Sequence, residues 1–142
     1  MSFVETYKSF YTQLKSDVDG SSNPFEAAVG SRIFAVQAPA GVSFPFAVYE
    51  VDAPTVEPYF SSVEKLETSA DVHIFGKAEL GVDALLDIEE LLFDLLDRKS
   101  LAAAAGLDRV NCRSTVRAEV GYENSEIIRV TSTFRLIAHR TG

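Results

Sequence analysis

The stretch that decides the fold is "VNCRSTVRAEVGYENSEIIRVTSTFRLIA", Val110 to Ala138. Val110, Cys112, Val116, Ala118 and Val120 alternate with Asn111, Arg113, Thr115, Arg117 and Glu119. After Tyr122-Glu123-Asn124-Ser125-Glu126, Ile128, Val130, Phe134, Leu136 and Ala138 alternate with Arg129, Thr131, Thr133 and Arg135. Period-two alternation marks half-buried strands. Asn tolerates the left-handed conformation a tight turn needs, so the two runs form a hairpin. The apolar faces need a cover, and the spacing predicts that helices supply it.

The covering helices lie upstream. From Glu79 to Asp97, Leu85, Ile88, Leu91, Leu92, Leu95 and Leu96 fill one broad arc. Asp83, Asp87, Glu90, Asp94 and Asp97 run down the opposite side, and Arg98 and Lys99 follow where the helix dipole favours cations. Glu89 falls inside the apolar arc. It either snorkels at the edge of the core or meets an arginine across an interface. At the N-terminus, Ser2 and Glu5 form a capping box, and Phe3, Tyr7, Phe10, Leu14 and Val18 recur at helical spacing until Asp19-Gly20. Asn23-Pro24-Phe25-Glu26 starts a further short helical turn.

Between the helices, Arg32 to Gln37 and Phe46 to Asp52 read as strands, the second apolar on both faces and therefore internal. Ala53 to Ser62, with Pro54 and Pro58, reads as a loop. Lys65 to Phe75 alternates Leu66, Ala70, Val72 and Ile74 against Glu67, Ser69, Asp71 and His73. Ser100 to Gly106 reads as an Ala-rich turn. The order predicts an α+β fold over a single domain, residues 1–142. Its antiparallel or mixed sheet is packed on one face by the N-terminal helix and the long Leu-rich helix, and it closes with the hairpin.

Composition narrows function. The chain has 142 residues and a formal net charge of -8, which argues against general binding to phosphate backbones. No apolar run approaches the length of a membrane span, and the first residues lack a signal-peptide layout. The single cysteine excludes an internal disulfide and fits a reducing cytoplasm.

Catalytic signatures are absent. His73 and His139 have no His or Cys at metal-ligand spacing, and both read as solvated. Cys112 reads as a buried core thiol. Gly76 to Gly81, "GKAELG", lacks the G-K-[ST] of a phosphate loop, and Ser31 lacks the second glycine of a nucleophile elbow. The acidic helix stripe reads as a solvated face. No cofactor, metal site or catalytic residue is expected.

The arginines are more informative. If Glu119 faces Arg129, the same register sets Arg113 near Arg135, and like charges opposite one another destabilise a strand pair. A carboxylate should stand nearby: Glu67 or Asp71 of a neighbouring strand, or an acidic face of another subunit. Arg113, Arg117, Arg129, Arg135 and Glu89 are thus candidate subunit contacts, with Phe44, Tyr59 and Phe60 as aromatic candidates for an interface. Val42 and Phe44, just outside the strand that Pro45 introduces, pack either inward or against a next subunit.

Gly30, Arg32, Ile33 and Phe34 in "GSRIF", and Ala38, Pro39, Phe44, Pro45 and Phe46 in "APAGVSFPF", resemble the tail-terminator (tail-completion) proteins of long-tailed bacteriophages and related tailed particles. The similarity extends through the Leu-rich helix, "SLAAAAGLDRVNCRS" and "TFRLIAH". It implies a non-enzymatic structural protein of the virion, assembled in the host cytoplasm. Such a protein forms a homo-oligomeric ring, usually a hexamer, at the head–tail junction. The ring caps the tail tube, stops its polymerisation and joins it to a head-completion or neck protein. DNA would pass through a net acidic ring without specific binding, and no membrane is involved. A head-completion or neck adaptor of the same particle, and a small host ligand-binding domain, are the alternative readings.

Overall fold

The computed structural model describes residues 10–15, 23–52, 55–60, 63–101 and 109–141. In chain order the elements are helix α1 (residues 10–15), α2 (Pro24–Ala28), strands β1 (Ile33–Ala35), β2 (Phe46–Val51), β3 (Thr55–Phe60) and β4 (Val63–Lys77), a 3-10 turn (Ala78–Leu80), helix α3 (Val82–Leu96), and strands β5 (Lys99–Leu101), β6 (Arg109–Asn124) and β7 (Ile127–Thr141). The strands form one seven-stranded sheet in the order β1-β2-β4-β7-β6-β5, with β3 paired to β4 off that path. β1 runs parallel to β2 and every other pairing is antiparallel. The sheet is mixed and the fold is α+β, as the sequence predicts.

α3 packs against β4, β6 and β7. Its buried side chains include Leu85, Ile88, Leu92, Leu95 and Leu96. They meet Ala70, Val72, Ile74, Val130, Phe134 and Leu136 from the sheet and Phe10 and Leu14 from α1 in one core. Full burial of each such side chain contributes about 1.5–3 kcal/mol relative to exposure. β4 and α3 approach closely at Gly76, where an added Cβ would lie 2.6 Å from Leu85 Cδ2. Asn23 joins α1 to α2: its Oδ1 caps the N–H groups of Phe25 and Glu26, and its Nδ2 donates to Leu14 O at 2.9 Å.

The structure corrects the reading of Ala53 to Ser62, because Thr55–Phe60 is a strand. β2 and β3 run along the same side of β4, with Val51 opposite Ala70 and Thr55 opposite Glu67. Pro58 is tolerated because β3 lies at an edge, and the register shifts between Pro58 and Phe60. The Ala-rich turn is corrected in part: its first two residues, Ser100 and Leu101, belong to β5, and 102–106 lie outside the described residues. The N-terminal capping box and the Asp19-Gly20 exit also lie outside them.

The hairpin needs a second correction. β6 shifts register between Ser114 and Val116 and again between Val116 and Glu119, and Ala118 takes φ 52. Each shift inserts residues without partners and re-aims their neighbours. Val116 stands opposite Thr133 and is 44% exposed, and Val120, although opposite Val130, is also exposed, so neither joins the core. Arg117 turns toward α3 instead of lying in line with the other arginines. Glu119 pairs with Thr131, and it is Gly121 that faces Arg129. At the turn, Asn124 Oδ1 accepts from the N–H groups of Glu126 and Ile127, a local bond that suits Asn.

Candidate assembly surfaces

Because side chains alternate along each strand, the sheet has a second face opposite α3. Across it run the rows Phe46, Phe75, Arg129; then Val48, His73, Thr131, Glu119; then Glu50, Asp71, Thr133, Val116; then Ser69, Arg135, Arg113. The β1–β2 end is aromatic. Phe46 stacks on Phe75 with centroids 5.0 Å apart, and Phe44 and Phe34 lie 5.2 Å and 6.4 Å from Phe46. Phe44 is half-buried and also lines a cavity of about 110 Å³ with Leu80, Leu85 and Ile88. Phe44 thus packs on Phe46 of its own sheet while part of its surface stays open.

The other end of this face is cationic. Arg113 and Arg135 are direct cross-strand partners, as the sequence predicts. Arg135 forms an ion pair with Glu67, one of the carboxylates expected there. Asp71 turns elsewhere, accepting from Thr133 Oγ1 at 2.7 Å. Arg98, Lys99, Arg113 and Arg135 line a single cavity of about 390 Å³ at the β5–β6 edge. Among the described residues Arg113 and Lys99 form no ion pair.

α3 carries the opposite charge. Asp83, Asp87, Glu90 and Asp94 are exposed on its outer side. Asp97 is not part of that solvated row: its Oδ1 accepts from Ser114 N at 2.8 Å and ties the helix end to β6.

Glu89 is enclosed within its own chain. It is 2% exposed, and its carboxylate accepts from Arg117 Nη2 at 2.7 Å, Arg117 Nε at 3.2 Å and Ser132 Oγ at 2.9 Å. Ser132 Oγ in turn accepts from Ala118 N at the bulge. The Arg117 guanidinium lies 3.7 Å above the centre of the Phe93 ring. Hydrogen bonding to Glu89 holds Arg117 further toward its charged form. Arg129 has a partner too, with Nη1 2.7 Å from Glu123 Oε1. The side chains of Tyr59 and Phe60 lie outside the described residues, although their backbone is part of β3.

The described residues offer little covalent chemistry. Cys112 is buried, and its thiol is pushed up to about 12 by that burial and then by the charge of Asp97. Such a thiol is not a nucleophile at neutral pH. Glu50 on β2 converges with Asp71 and His73 on β4, and the three place one donor atom each within 4.8 Å of one another. Glu50 and Asp71 are cross-strand partners, and His73 follows Asp71 by two residues on the same face. No helix among the described residues is long and apolar enough to cross a membrane.

No protein-family model matches the sequence, and no curated protein matches it. Solved structures do. A chain from the structure described as "Virion of native gene transfer agent (GTA) particle" superposes with a TM-score of 0.66 at 17% identity, over 91% of this chain and 90% of that one. At that identity the likeness is one of fold.

Proposed function

We propose that this chain is a structural protein of a tailed virion or virion-like particle, and within it a tail terminator. The observation that carries this reading is the shared fold with a chain of a gene transfer agent virion, which extends over about nine-tenths of both molecules. The "GSRIF" and "APAGVSFPF" segments support the finer assignment. "GSRIF" runs into β1, and "APAGVSFPF" leads into β2.

In this reading the chain forms a ring on the end of the tail tube. A ring of identical subunits needs two different patches that meet. The exposed acids of α3 and the Arg98, Lys99, Arg113, Arg135 cluster are such a pair, acidic on one subunit and basic on the next. Glu89, Arg117 and Arg129 have partners within the chain and serve its fold first. Phe44 and the β3 residues Tyr59 and Phe60 remain the proposed aromatic contacts to tube or neck. The excess negative charge would let DNA pass the ring without retention. The protein has no enzymatic step in this account.

Negative-stain imaging of the purified chain, alone and with isolated tail tubes, tests the proposal. Rings that seat on tube ends and stop elongation are expected. A chain that stays monomeric beside tubes that keep growing overturns it.

A further inference from the structure

We infer that Glu50, Asp71 and His73 form a binding site for a divalent transition-metal ion on the sheet face opposite α3. The three donors come from two adjacent strands whose register is fixed by six consecutive residue pairs, so their backbones are held in place by the sheet itself. Two carboxylates and one imidazole supply a charge that balances a dication and a donor set of mixed hardness. Imidazole favours zinc, cobalt or iron over magnesium and calcium.

The surrounding threonines orient the donors. His73 Nδ1 lies 2.8 Å from Thr131 Oγ1, which leaves Nε2 as the free ligand atom. Thr133 Oγ1 donates to Asp71 Oδ1 at 2.7 Å, fixing that carboxylate while leaving its second oxygen available. Partners of this kind, one step behind the ligands, set ring tautomer and ligand direction in metal sites. Donors on one zinc ion sit roughly 3.4 Å apart, given bonds of about 2.1 Å in a tetrahedron. The present span of up to 4.8 Å closes with a torsion change in the Glu50 side chain. Phe75 lies beside His73, with centroids 6.3 Å apart, and closes the site on one side with an apolar wall. Three protein ligands leave a fourth coordination position for water.

Titration calorimetry of the full chain with zinc chloride tests this. One ion per chain is expected, retained in the presence of excess magnesium. The variant H73A should abolish binding and H139Q should leave it intact. T131V, which keeps every ligand, should weaken it by about 10- to 100-fold. Circular dichroism of each variant checks that the fold is kept. Absence of stoichiometric binding, zinc binding that survives H73A, or displacement of zinc by magnesium overturns the inference.

Discussion

Arg117 reaches back from a bulge in β6 to grip Glu89 of α3 through both of its terminal contacts, at 2.7 Å and 3.2 Å. A carboxylate inside a leucine-rich arc is costly unless its lone pairs are filled, and Arg117 and Ser132 fill them. Removing one partner of a buried pair costs about 3–5 kcal/mol. Arg117 is itself 44% exposed, so water offsets part of the loss. R117A should therefore destabilise the chain by about 2–3 kcal/mol in urea unfolding, at or below the lower end of that range. The double variant E89L/R117M, which removes both charges, should recover most of the loss. If R117A unfolds at the same urea concentration as the parent chain, the pair does not hold the bulge to the helix.

Arg113 tests the assembly surface. It faces Arg135 with no ion pair of its own among the described residues. R113E should leave monomer stability unchanged or raise it by up to about 1 kcal/mol, because a like-charge pair becomes an opposite one. Ring formation, followed by sedimentation velocity, should be lost, and a lysine at Glu90 or Asp94 on α3 should restore it in part. An R113E chain that forms rings as the parent does would remove the basic patch from the interface.

Cys112 makes stability depend on alkaline pH. Its folded thiol titrates near 12, above the ordinary 9.0, because burial disfavours the thiolate. A raised acid contributes fully below the unfolded value and loses that contribution as pH climbs toward the folded one. Between about pH 9 and 12 the parent chain should lose about 1.4 kcal/mol per pH unit more than C112V does. Below pH 8 the two slopes should coincide. A thiol reagent at pH 8 should modify Cys112 only on unfolding, and rapid labelling of the native chain would contradict its burial.

Gly76 is a packing position. G76A forces Leu85 to move, because the new Cβ would lie 2.6 Å from Cδ2. Overpacking of this kind costs about 1–3 kcal/mol. Thermal unfolding of G76A and of G76A/L85A measures it, and the double variant should show less than the sum of the two single losses.

The sequence carried β4, β7 and α3 plainly, because each keeps one period along its whole length. Asn23 was equally legible, since a cap residue before Pro24 has few other uses. β3 was hidden by Pro54 and Pro58, which announce a loop but fit an edge strand that pairs on one side only. β5 was too short to show a period. The bulges of β6 left no mark in the residue pattern: Val116 and Arg117 still alternate on paper, while the backbone between them turns the apolar residue out and the charged one in. The same limit hid the Glu50, Asp71, His73 group, because cross-strand register is set by hydrogen bonding along whole strands and not by spacing in the chain. Arg113 opposite Arg135 could be seen, since those residues lie before the first shift, counting from the open end of the hairpin.

Those bulges also bear on what the protein does not do. β6 has 16 residues, and β5 covers only three of them, Val110 to Cys112. Beyond them no described strand pairs with its outer edge, which, left straight, would present a regular row of amide and carbonyl groups. Three register shifts and the left-handed Ala118 put that row out of step. A neighbouring strand then finds no regular ladder to extend along this edge. The distortion that brings Arg117 to Glu89 thus also breaks up a strand edge.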